Sequence, residues 1–412
     1  MKEFLKKIFY LLPRFTKRYI LSCYENLHSS PFKIKRFGTK NTKPRILFYH
    51  VSGLSFGGTE KFLQIIAKYL NKEKYDVFFM YSPKPRGNTA TKLDGRRSYF
   101  NDSRVNLIEF QYDEMTQKYP YEIKNMRPHI KNIIQEKNID LLVTAGSGYS
   151  EFPFNNIRNI PIILLNIFGS PNVQKNILKN VCLSKEVSKK IESIVEKNKI
   201  EIMGIPSEGP TPDSFTLGQK IREKFEIKDT DMVFGRIGRP DNAIFDPIGI
   251  RAFKKIVKEF PDTHYIIMSP PPVLVEMVER EQIPNVHFLP SSAKEEDVWA
   301  FHQSIDAVAH FRNDGESFGL NIVESMLCGK PVITHRSHIW NAHLEYLEPA
   351  FSRVANKDNV DTYASFMKEF TLLKQQGKLK ELGEKAREKS EEFLIENQIV
   401  RFEKLVDESI VH

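Results

Sequence analysis

The chain has 412 residues, a formal net charge of +9 at pH 7 and a sequence pI near 9.1. This length accommodates two domains, and a hydrophobic content of 41% allows a substantial core. The basic charge favours acidic partners such as phosphorylated substrates or anionic lipid. The three cysteines are far apart, which argues against a disulfide framework or a zinc site and fits a reducing compartment. No apolar run reaches about 18 residues and no signal-peptide pattern is present, so we expect a cytoplasmic protein.

Residues 1–27 have the pattern of a basic amphipathic helix. The apolar face consists of Phe4, Leu5, Ile8, Leu11, Leu12, Phe15 and Tyr19. The basic face consists of Lys2, Lys6, Lys7, Arg14, Lys17 and Arg18. Such a helix can bind the surface of an anionic membrane, and the alternative is that its apolar face packs on the protein itself. We predict that residues 1–42 are an N-terminal extension that ends in a polar linker over 28–42.

From Arg45 onward, short apolar runs alternate with helical patterns. Residues 46–51, 77–80, 140–144 and 162–165 are predicted strands, and a glycine-containing loop joins the first of them to a helix near 62–70. Residues 84–105, rich in Lys, Arg, Gly and Asn, are predicted to form a mobile loop. Strands that alternate with helices form parallel sheets covered on both faces. We therefore predict an α/β domain with a parallel sheet over residues 43–210.

A second domain of the same α/β style follows a segment at 206–212 that contains three prolines and a glycine. The predicted strands are 232–235, 264–268, 286–289, 307–310 and 331–334, and the predicted helices are 248–260, 272–281 and 294–303. We assign this domain to residues 211–385 and expect a C-terminal helix over 386–412 that packs back toward the first domain. Open parallel sheets bind ligands at the carboxyl ends of their strands.

Two glutamates in the second domain indicate a binding site. Glu316 and Glu324 lie eight residues apart, and on one continuous helix this spacing would separate them by about 12 Å and 80°. We therefore place Glu316 in a loop, the segment 317–320 at a helix N-terminus and Glu324 along that helix. Free amide groups and the positive end of the helix dipole would then face one pocket, which suits a diphosphate. Each carboxylate could accept hydrogen bonds from sugar hydroxyls.

With both domains placed, the chain resembles the retaining glycosyltransferases of family 4 over most of residues 43–400. The motifs that carry this resemblance are Glu316-x7-Glu324 with Phe318-Gly319-Leu320 inside it, Gly57-Gly58-Thr59-Glu60 after the first strand, and Gly238-Arg239-Pro240-Asp241 after the first strand of the second domain. Each motif is short, but the three in this order are specific. The resemblance implies a GT-B fold, in which two Rossmann-like domains face each other across a cleft.

The resemblance also implies roles for individual residues. Glu324 would bind the nucleotide ribose, and Glu316 would lie beside the transferred sugar. Arg239 would neutralise the donor diphosphate as it leaves, and Arg236 is close enough in sequence to take that role instead. The remaining donor-binding positions are Ser317, Phe318, Gly319 and Leu320 through their backbone, and Gly57, Gly58 and Gly238, where the missing Cβ allows close approach to phosphate.

Three positions depart from the family pattern. Ile244 stands where a lysine usually pairs with the diphosphate, and Phe168 stands where a histidine usually contributes to the reacting centre. The segment Ser269-Pro270-Pro271-Pro272 replaces a glycine-rich turn. Losing one charged diphosphate contact would remove several kcal/mol of transition-state stabilisation, and Arg236, Arg312 or a loop lysine is expected to compensate.

Other site patterns carry less weight. Asp229-Thr230-Asp231 has the spacing of a metal-binding DxD, but it precedes a strand in a charged stretch. The eleven histidines form no HExxH, and we expect His335, His338 and His343 to line a cleft or lie exposed rather than to bind metal. Hydrolase, P-loop and dinucleotide motifs are absent. Basic residues are not interleaved with aromatic ones, so no nucleic-acid partner is expected.

The favoured hypothesis is therefore a retaining, metal-independent hexosyltransferase without a cofactor, whose substrate is a UDP- or GDP-linked sugar. Its acceptor would be a glycan or a lipid-linked molecule, as in the synthesis of bacterial surface polysaccharide or glycoconjugates, and residues 1–27 would bring the enzyme to the inner face of the membrane. The alternative is a GT-B-like subunit that has lost turnover and binds or chaperones another glycosyltransferase. A sugar-nucleotide epimerase is a smaller third possibility, for which no dedicated carboxylate set is present.

Overall fold

The computed structural model describes residues 43–83, 95–109, 126–148, 154, 157–292 and 294–411. It divides into two compact units, the first formed by residues up to Pro206 together with Ile395 onward, and the second by Ser207–Leu394. Residues 1–42, and with them the expected amphipathic helix, lie outside the described residues. Within those residues, no helix is both long and apolar enough to cross a membrane.

The first unit is built around a seven-stranded parallel sheet. Its elements in chain order are β1 Arg45–Tyr49, α1 Gly58–Tyr69, β2 Asp76–Tyr81, β3 Asn106–Glu109, α2 Met126–Glu136, β4 Leu141–Gly146, β5 Ile162–Asn166, β6 Ile177–Cys182, α3 Lys185–Lys189 and β7 Ile200–Ile202. The strand order β3-β2-β1-β4-β5-β6-β7 begins with the 3-2-1-4-5-6 order of dinucleotide-binding domains. The central strands β1, β4 and β5 are buried on both faces, which explains their continuous apolar runs.

The second unit has a six-stranded parallel sheet and a separate two-stranded one. Its elements are α4 Ser214–Lys224, β8 Met232–Ile237, α5 Ile248–Glu259, β9 Thr263–Met268, α6 Pro272–Arg280, β10 Val286–Leu289, α7 Glu295–Ser304, β11 Ala307–Ala309, β12 Gly315–Glu316, α8 Leu320–Leu327, β13 Val332–His335, β14 Trp340–Asn341, β15 Ser352–Ala355, α9 Val360–Gln375 and α10 Leu379–Ser390. The strand order is β10-β9-β8-β11-β13-β15, and β12 pairs with β14. Buried apolar side chains of α5 and α9 cover one face of the larger sheet.

The last helix, α11 (Ile395–Val411), belongs to the first unit. Phe402 packs edge-on against Phe62 of α1 at 6.1 Å between ring centroids, and Tyr75 donates a hydrogen bond to Asp407 at 2.6 Å. Arg401 forms an ion pair with Glu201 at 2.7 Å. The units therefore divide at 206/207 and 394/395, close to the sequence-based boundaries at 210 and 385. Residues 386–394 stay with the second unit, where the carbonyl of Phe393 accepts a hydrogen bond from the Ser207 amide.

The expected mobile loop at 84–105 is only partly described. Residues 84–94 lie outside the described residues, whereas Arg97–Phe100 form a turn of 3-10 helix. Arg96 is 3% exposed and stacks on the ring of Tyr99 at 4.3 Å. Within the expected loop, residues 96–100 therefore form a short helical turn that packs through aromatic side chains.

Candidate functional site

The candidate donor site lies in the second unit, where the strand order reverses between β8 and β11. Chains leave the carboxyl ends of these neighbouring strands in different directions, which opens a crevice at the sheet edge. The residues after β8 include Gly238 and Arg239, and those after β11 run through Glu316 into α8. Asn321 in the first turn of α8 donates a hydrogen bond of 2.6 Å to the carbonyl of Ile237 at the end of β8. This bond ties the two predicted motifs together.

Glu316 is a nearly buried carboxylate held by two cationic or polar groups. Its Oε1 lies 3.1 Å from Nε2 of His310, and its Oε2 lies 3.3 Å from Nη1 of Arg312. Burial alone would raise the pKa of Glu316, but the hydrogen bond from His310 and the charge of Arg312 outweigh it and lower the pKa to about 2. The carboxylate is therefore ionised at neutral pH and can only accept hydrogen bonds.

Glu316 stands in the short strand β12 rather than in a loop, and the strand geometry depends on Gly315. Gly315 has a φ of +69°, and a Cβ there would lie 1.8 Å from the carbonyl oxygen of Trp340 in β14. Only glycine allows the two strands to approach so closely. The parallel pairing of Gly315 with Trp340 then fixes the direction in which the chain delivers Glu316.

Helix α8 supplies the second glutamate and a set of free amide groups. Gly319 is the residue before the helix and adopts a left-handed conformation, with a φ of +89°. The hydroxyl of Tyr346 donates to the carbonyl of Phe318 at 2.8 Å and holds this turn. Glu324 follows in the helix with 5% exposure, and its Oε2 lies 3.5 Å from Nε2 of His302. The amides of Leu320 and Asn321 precede the first hydrogen bond of the helix, in which the Ile322 amide donates to the Gly319 carbonyl at 3.0 Å. This end of the helix is therefore suitable for an anion.

Arg236 and Arg239 have very different environments. Arg239 is 68% exposed and lies 4.0 Å from Asp241. Arg236 is 3% exposed and lies 4.7 Å from the ring centroid of Phe311, and its Nε and Nη1 have no hydrogen-bond acceptor among the described residues. Burial lowers the pKa of Arg236 to about 10. A Cβ at Gly238 would lie 3.0 Å from Nη2 of Arg236, so glycine leaves room beside the guanidinium.

Arg312, the other expected substitute cation, is already paired. It forms a two-point interaction with Asp314, at 2.5 Å from Nε and 3.0 Å from Nη2, besides its contact with Glu316. Its charge is therefore balanced within the protein. Among the arginines considered, the buried and unpaired Arg236 is the one that lacks an anionic partner.

The glycine loop belongs to the first unit. Gly57 precedes α1, Gly58 begins it, and Glu60 lies in the first turn. A Cβ at Gly57 would lie 2.3 Å from Oε2 of Glu60, so the glycine accommodates that carboxylate. Glu60 lies 3.5 Å from Nδ1 of His50, which directly follows β1. Glu316, Glu324, Gly238, Arg236 and Arg239 all lie in the second unit, whereas Gly57 and Gly58 lie in the first.

The three positions that depart from the family pattern have the following environments in the structure. Ile244 is 8% exposed, with its side chain buried, and Phe168 is 46% exposed after β5. Neighbouring Asn166 is fully buried, where its Oδ1 accepts from the Gly169 amide at 2.9 Å. Pro271 precedes helix α6, which begins at Pro272. None of these positions supplies the charge or ring nitrogen that the family pattern has there.

Three of the residues that were considered as metal ligands are buried in the protein. Asp231 is 6% exposed and accepts a hydrogen bond of 2.9 Å from the amide of Lys228, before the amino end of β8. The prediction that the downstream histidines line a cleft or lie exposed was wrong for two of them, since His335 is 2% exposed and His343 is fully buried. His338 is exposed. No group of three potential metal ligands occurs in the part of the chain that the structure describes.

Sequence reasoning missed the polar groups behind the two glutamates. His310 contacts Glu316, and His302 lies beside Glu324. Both histidines are buried, at 4% and 0% exposure. The signal available in the sequence was weak. His310 ends a predicted strand immediately before the motif, and His302 lies on the helix that precedes that strand.

Comparisons with known proteins agree with this fold. Residues 219–389 match the model of the family described as glycosyl transferases group 1. A glycosyltransferase from Rickettsia africae has a similar structure, with a TM-score of 0.67 and 16% identity over 90% of this chain and 99% of that one. Anabaena Alr3699/HepE, solved in complex with UDP-glucose, has a TM-score of 0.66 and 17% identity over 88% of this chain and 99% of that one.

A third similar structure is WaaG, a glycosyltransferase involved in lipopolysaccharide biosynthesis, with a TM-score of 0.58 and 14% identity over 84% of this chain and 95% of that one. A search of curated proteins found no match. Identities at this level establish the fold and not the substrate. The chain therefore has the two parallel-sheet α/β domains of a GT-B glycosyltransferase fold, and its second unit carries the match to the group 1 glycosyl transferases.

Proposed function

We propose that the protein is a retaining glycosyltransferase of the family 4 type. It would move a hexose from a UDP- or GDP-linked donor to a glycan or lipid-linked acceptor, as in bacterial surface polysaccharide or glycoconjugate synthesis. The observation that carries the proposal is the arrangement around α8. An ionised carboxylate, a helix N-terminus and a second buried carboxylate follow one another at the carboxyl edge of the sheet. UDP-glucose in the Anabaena structure supports a nucleotide sugar as donor.

Each group has a role in this proposal. Glu324 accepts hydrogen bonds from the nucleotide ribose, and Glu316 accepts them from hydroxyls of the transferred sugar. The backbone of Ser317–Leu320 contacts the sugar and its phosphate. As the bond between the anomeric carbon and the diphosphate breaks, negative charge accumulates on the leaving group, where the helix N-terminus and arginines stabilise it.

Arg236 is proposed to provide the charge that Ile244 does not. It is buried at the end of β8 without a carboxylate within ion-pair distance among the described residues, so a bound diphosphate would be its counter-ion. Arg239 is exposed and can turn toward the same phosphate, and Gly238 leaves room for it. With these cations the reaction needs no metal ion. In the first unit, Gly57 and Gly58 would allow close approach of substrate.

The decisive experiment measures release of free nucleotide from UDP-, GDP- and dTDP-sugars, with and without membrane extract. We expect turnover of at least one donor, insensitivity to EDTA and retention of the anomeric configuration in the product by NMR. Glu324→Gln preserves shape but removes the charge, and we expect it to raise the donor KM about tenfold or more. An inverted product would contradict the retaining assignment, and loss of activity in EDTA would contradict metal independence.

The second candidate is a GT-B-like binding or chaperone subunit of another glycosyltransferase. The exposed Phe168 and the buried Ile244, which replace a histidine and a lysine of the family pattern, favour it. If no donor is turned over or bound by the wild-type protein, this candidate is preferred. Flotation with anionic liposomes of the full chain and of a chain beginning at residue 28 tests the proposed membrane association. Equal flotation of the two would exclude residues 1–27 as the anchor.

A further inference from the structure

His310 has both ring nitrogens engaged. Its Nε2 lies 3.1 Å from Oε1 of Glu316, and its Nδ1 lies 3.2 Å from the hydroxyl oxygen of Thr334. The same hydroxyl oxygen lies 3.2 Å from Nε2 of His343. A continuous chain of hydrogen-bonding groups therefore runs from His343 through Thr334 and His310 to the Glu316 carboxylate.

The strand register creates this chain. Strand β11 pairs with β13 so that Ala309 faces Ile333, which places His310 beside Thr334 at the carboxyl edge of the sheet. The backbone around His310 is also held, because Tyr363 donates a hydrogen bond of 2.9 Å to its carbonyl. His310, Thr334 and His343 are buried, the last two fully so, and the Glu316 side chain is 13% exposed. A ring held at both nitrogens and at its backbone has little freedom to rotate.

The positions of the protons follow from the groups at the two ends of this hydrogen-bonded chain, Glu316 and His343. Glu316 is ionised and only accepts, so Nε2 of His310 must carry a proton. Burial lowers the pKa of His343 to about 3, so that ring is neutral at physiological pH. A hydroxyl group both donates and accepts. Thr334 can therefore donate to a neutral His310 or accept from a protonated one, and it holds the ring in either state.

A histidine also lies beside the other glutamate, but the contact differs. Oε2 of Glu324 lies 3.5 Å from Nε2 of His302, which is an ion-pair distance and not a hydrogen bond. Nδ1 of His302 lies 2.7 Å from the hydroxyl oxygen of Ser325, and that hydroxyl donates to the Asn321 carbonyl at 3.0 Å. Of the two histidine–glutamate contacts, the one between His310 and Glu316 is the hydrogen bond.

We propose that His310, oriented by Thr334 and His343, is a positioning residue that fixes the Glu316 carboxylate for its contact with the transferred sugar. The inference rests on the proposed function of Glu316. His310 acts through Glu316: its hydrogen bond fixes the rotamer of the carboxylate and favours the ionised form. Thr334 is essential because Nδ1 of His310 would otherwise lose the partner that keeps Nε2 aimed at the carboxylate.

The test compares Thr334→Val, which keeps the shape but removes the hydroxyl group, with Thr334→Ser, which keeps the hydroxyl group. We expect Thr334→Val to lower kcat about tenfold, with a smaller change in donor KM, because the lost alignment matters most in the transition state. Thr334→Ser should retain at least about half of the wild-type kcat. Thr371→Val is the matched control, since Thr371 is also buried but its hydroxyl donates to the backbone carbonyl of Met367 in α9, away from the two glutamates in sequence.

Histidine substitution gives an independent readout. The amide of Gln can donate from a position close to Nε2, so His310→Gln should retain more activity than His310→Ala. NMR of protein labelled with 15N-histidine should show a protonated Nε2 on His310 whose exchange with water is faster in Thr334→Val than in wild type. A purely structural role would instead lower the melting temperature of Thr334→Val without this change in exchange.

The outcomes separate the two proposals. If Glu316→Gln loses activity while Thr334→Val behaves like Thr371→Val, the positioning role is wrong and the donor site stands. If Glu316→Gln is as active as wild type, the assigned role of Glu316 is wrong and the positioning role falls with it. Loss of kcat in Thr334→Val that Thr334→Ser restores supports the inference.

Discussion

Replacing Arg236 with methionine should stabilise the ligand-free protein and weaken donor binding at the same time. The guanidinium is 3% exposed, and its Nε and Nη1 have no acceptor among the described residues. An unpaired buried charge costs free energy, and an apolar side chain of similar size removes that cost. Arg222→Met is the matched control, because Arg222 is also buried but bonds to the carbonyls of Ser304, Lys228 and Asp231.

The magnitude follows from the pKa. Burial lowers the pKa of Arg236 from 12.5 to about 10, which corresponds to a penalty of about 3 kcal/mol on the charged form in the folded state. Loss of the cation–π contact with Phe311 offsets about 1 kcal/mol of the gain. The net gain of about 2 kcal/mol would raise the melting temperature of a unit of this size by about 4–8 °C. Since the pKa of Arg236 is lowered in the folded state, the full penalty on the charged form is present at every pH below about 10. The stability gained by Arg236→Met should therefore be equal at pH 6 and pH 8.

The assay is thermal unfolding of wild type, Arg236→Met and Arg222→Met, each with and without UDP and UDP-glucose. We expect Arg236→Met to melt higher without ligand but to bind donor about 10–100-fold more weakly by calorimetry, as one charge-assisted contact to phosphate is lost. Arg222→Met should melt lower, because its carbonyl partners lose their donor. Destabilisation of Arg236→Met together with an unchanged donor affinity would refute the assignment of this arginine to the diphosphate.

Further predictions concern stability and the site. Because burial lowers the pKa of His343 to about 3, the unfolded chain gains a proton that the folded one does not as the pH falls below about 6.5. The free energy of unfolding, measured with urea, should therefore decline from pH 7 to pH 4 in the wild type. In His343→Gln its slope against pH should be shallower by up to about 1.4 kcal/mol per pH unit. Equal slopes in the two proteins would contradict this. Gly315→Ala should lower the free energy of unfolding by several kcal/mol more than Gly377→Ala does. Both glycines have a positive φ, but of the two only Gly315 faces a close backbone atom. Equal losses in chemical denaturation would show that β14 moves to make room for the new Cβ. Removing residues 395–411 should unfold the first unit and leave the second folded, and limited proteolysis that finds both units intact would contradict this.

The sequence pattern predicted the buried central strands of the fold. Runs such as Ile46–Tyr49 are apolar because both faces of a central parallel strand are covered, and periodicity detects them. Strands β3, β6, β7 and β15 escaped prediction because they carry polar residues. Lys179 in β6, for example, forms an ion pair with Glu408 at 2.7 Å, a partner more than 200 residues away in sequence. Local pattern cannot show that such a lysine is satisfied inside a sheet.

The site was predictable to the extent that it is local. Glu316, Gly319 and Glu324 lie in one segment, so their spacing and the expected helix start placed Gly319 before the helix and Glu324 on it. The loop expected for Glu316 is instead the short strand β12, because its partner strand β14 comes from a later part of the chain. The groups that control their charge and orientation are brought by other elements. Thr334 reaches His310 through the register of two parallel strands, and His302 comes from helix α7. Register and helix packing are properties of the folded unit, and no spacing in the sequence records them.

The return of α11 to the first unit has a consequence for synthesis. The second unit is one uninterrupted stretch of chain, so it can fold as soon as it has left the ribosome. The apolar face of α1 around Phe62, however, packs against Phe402, which is synthesised after the whole second unit. The first unit must therefore remain incomplete, with part of its core exposed, until α11 has been synthesised. A nascent chain whose residues up to 394 have left the ribosome, but whose α11 has not, should consequently carry a finished second unit and a first unit that recruits chaperones.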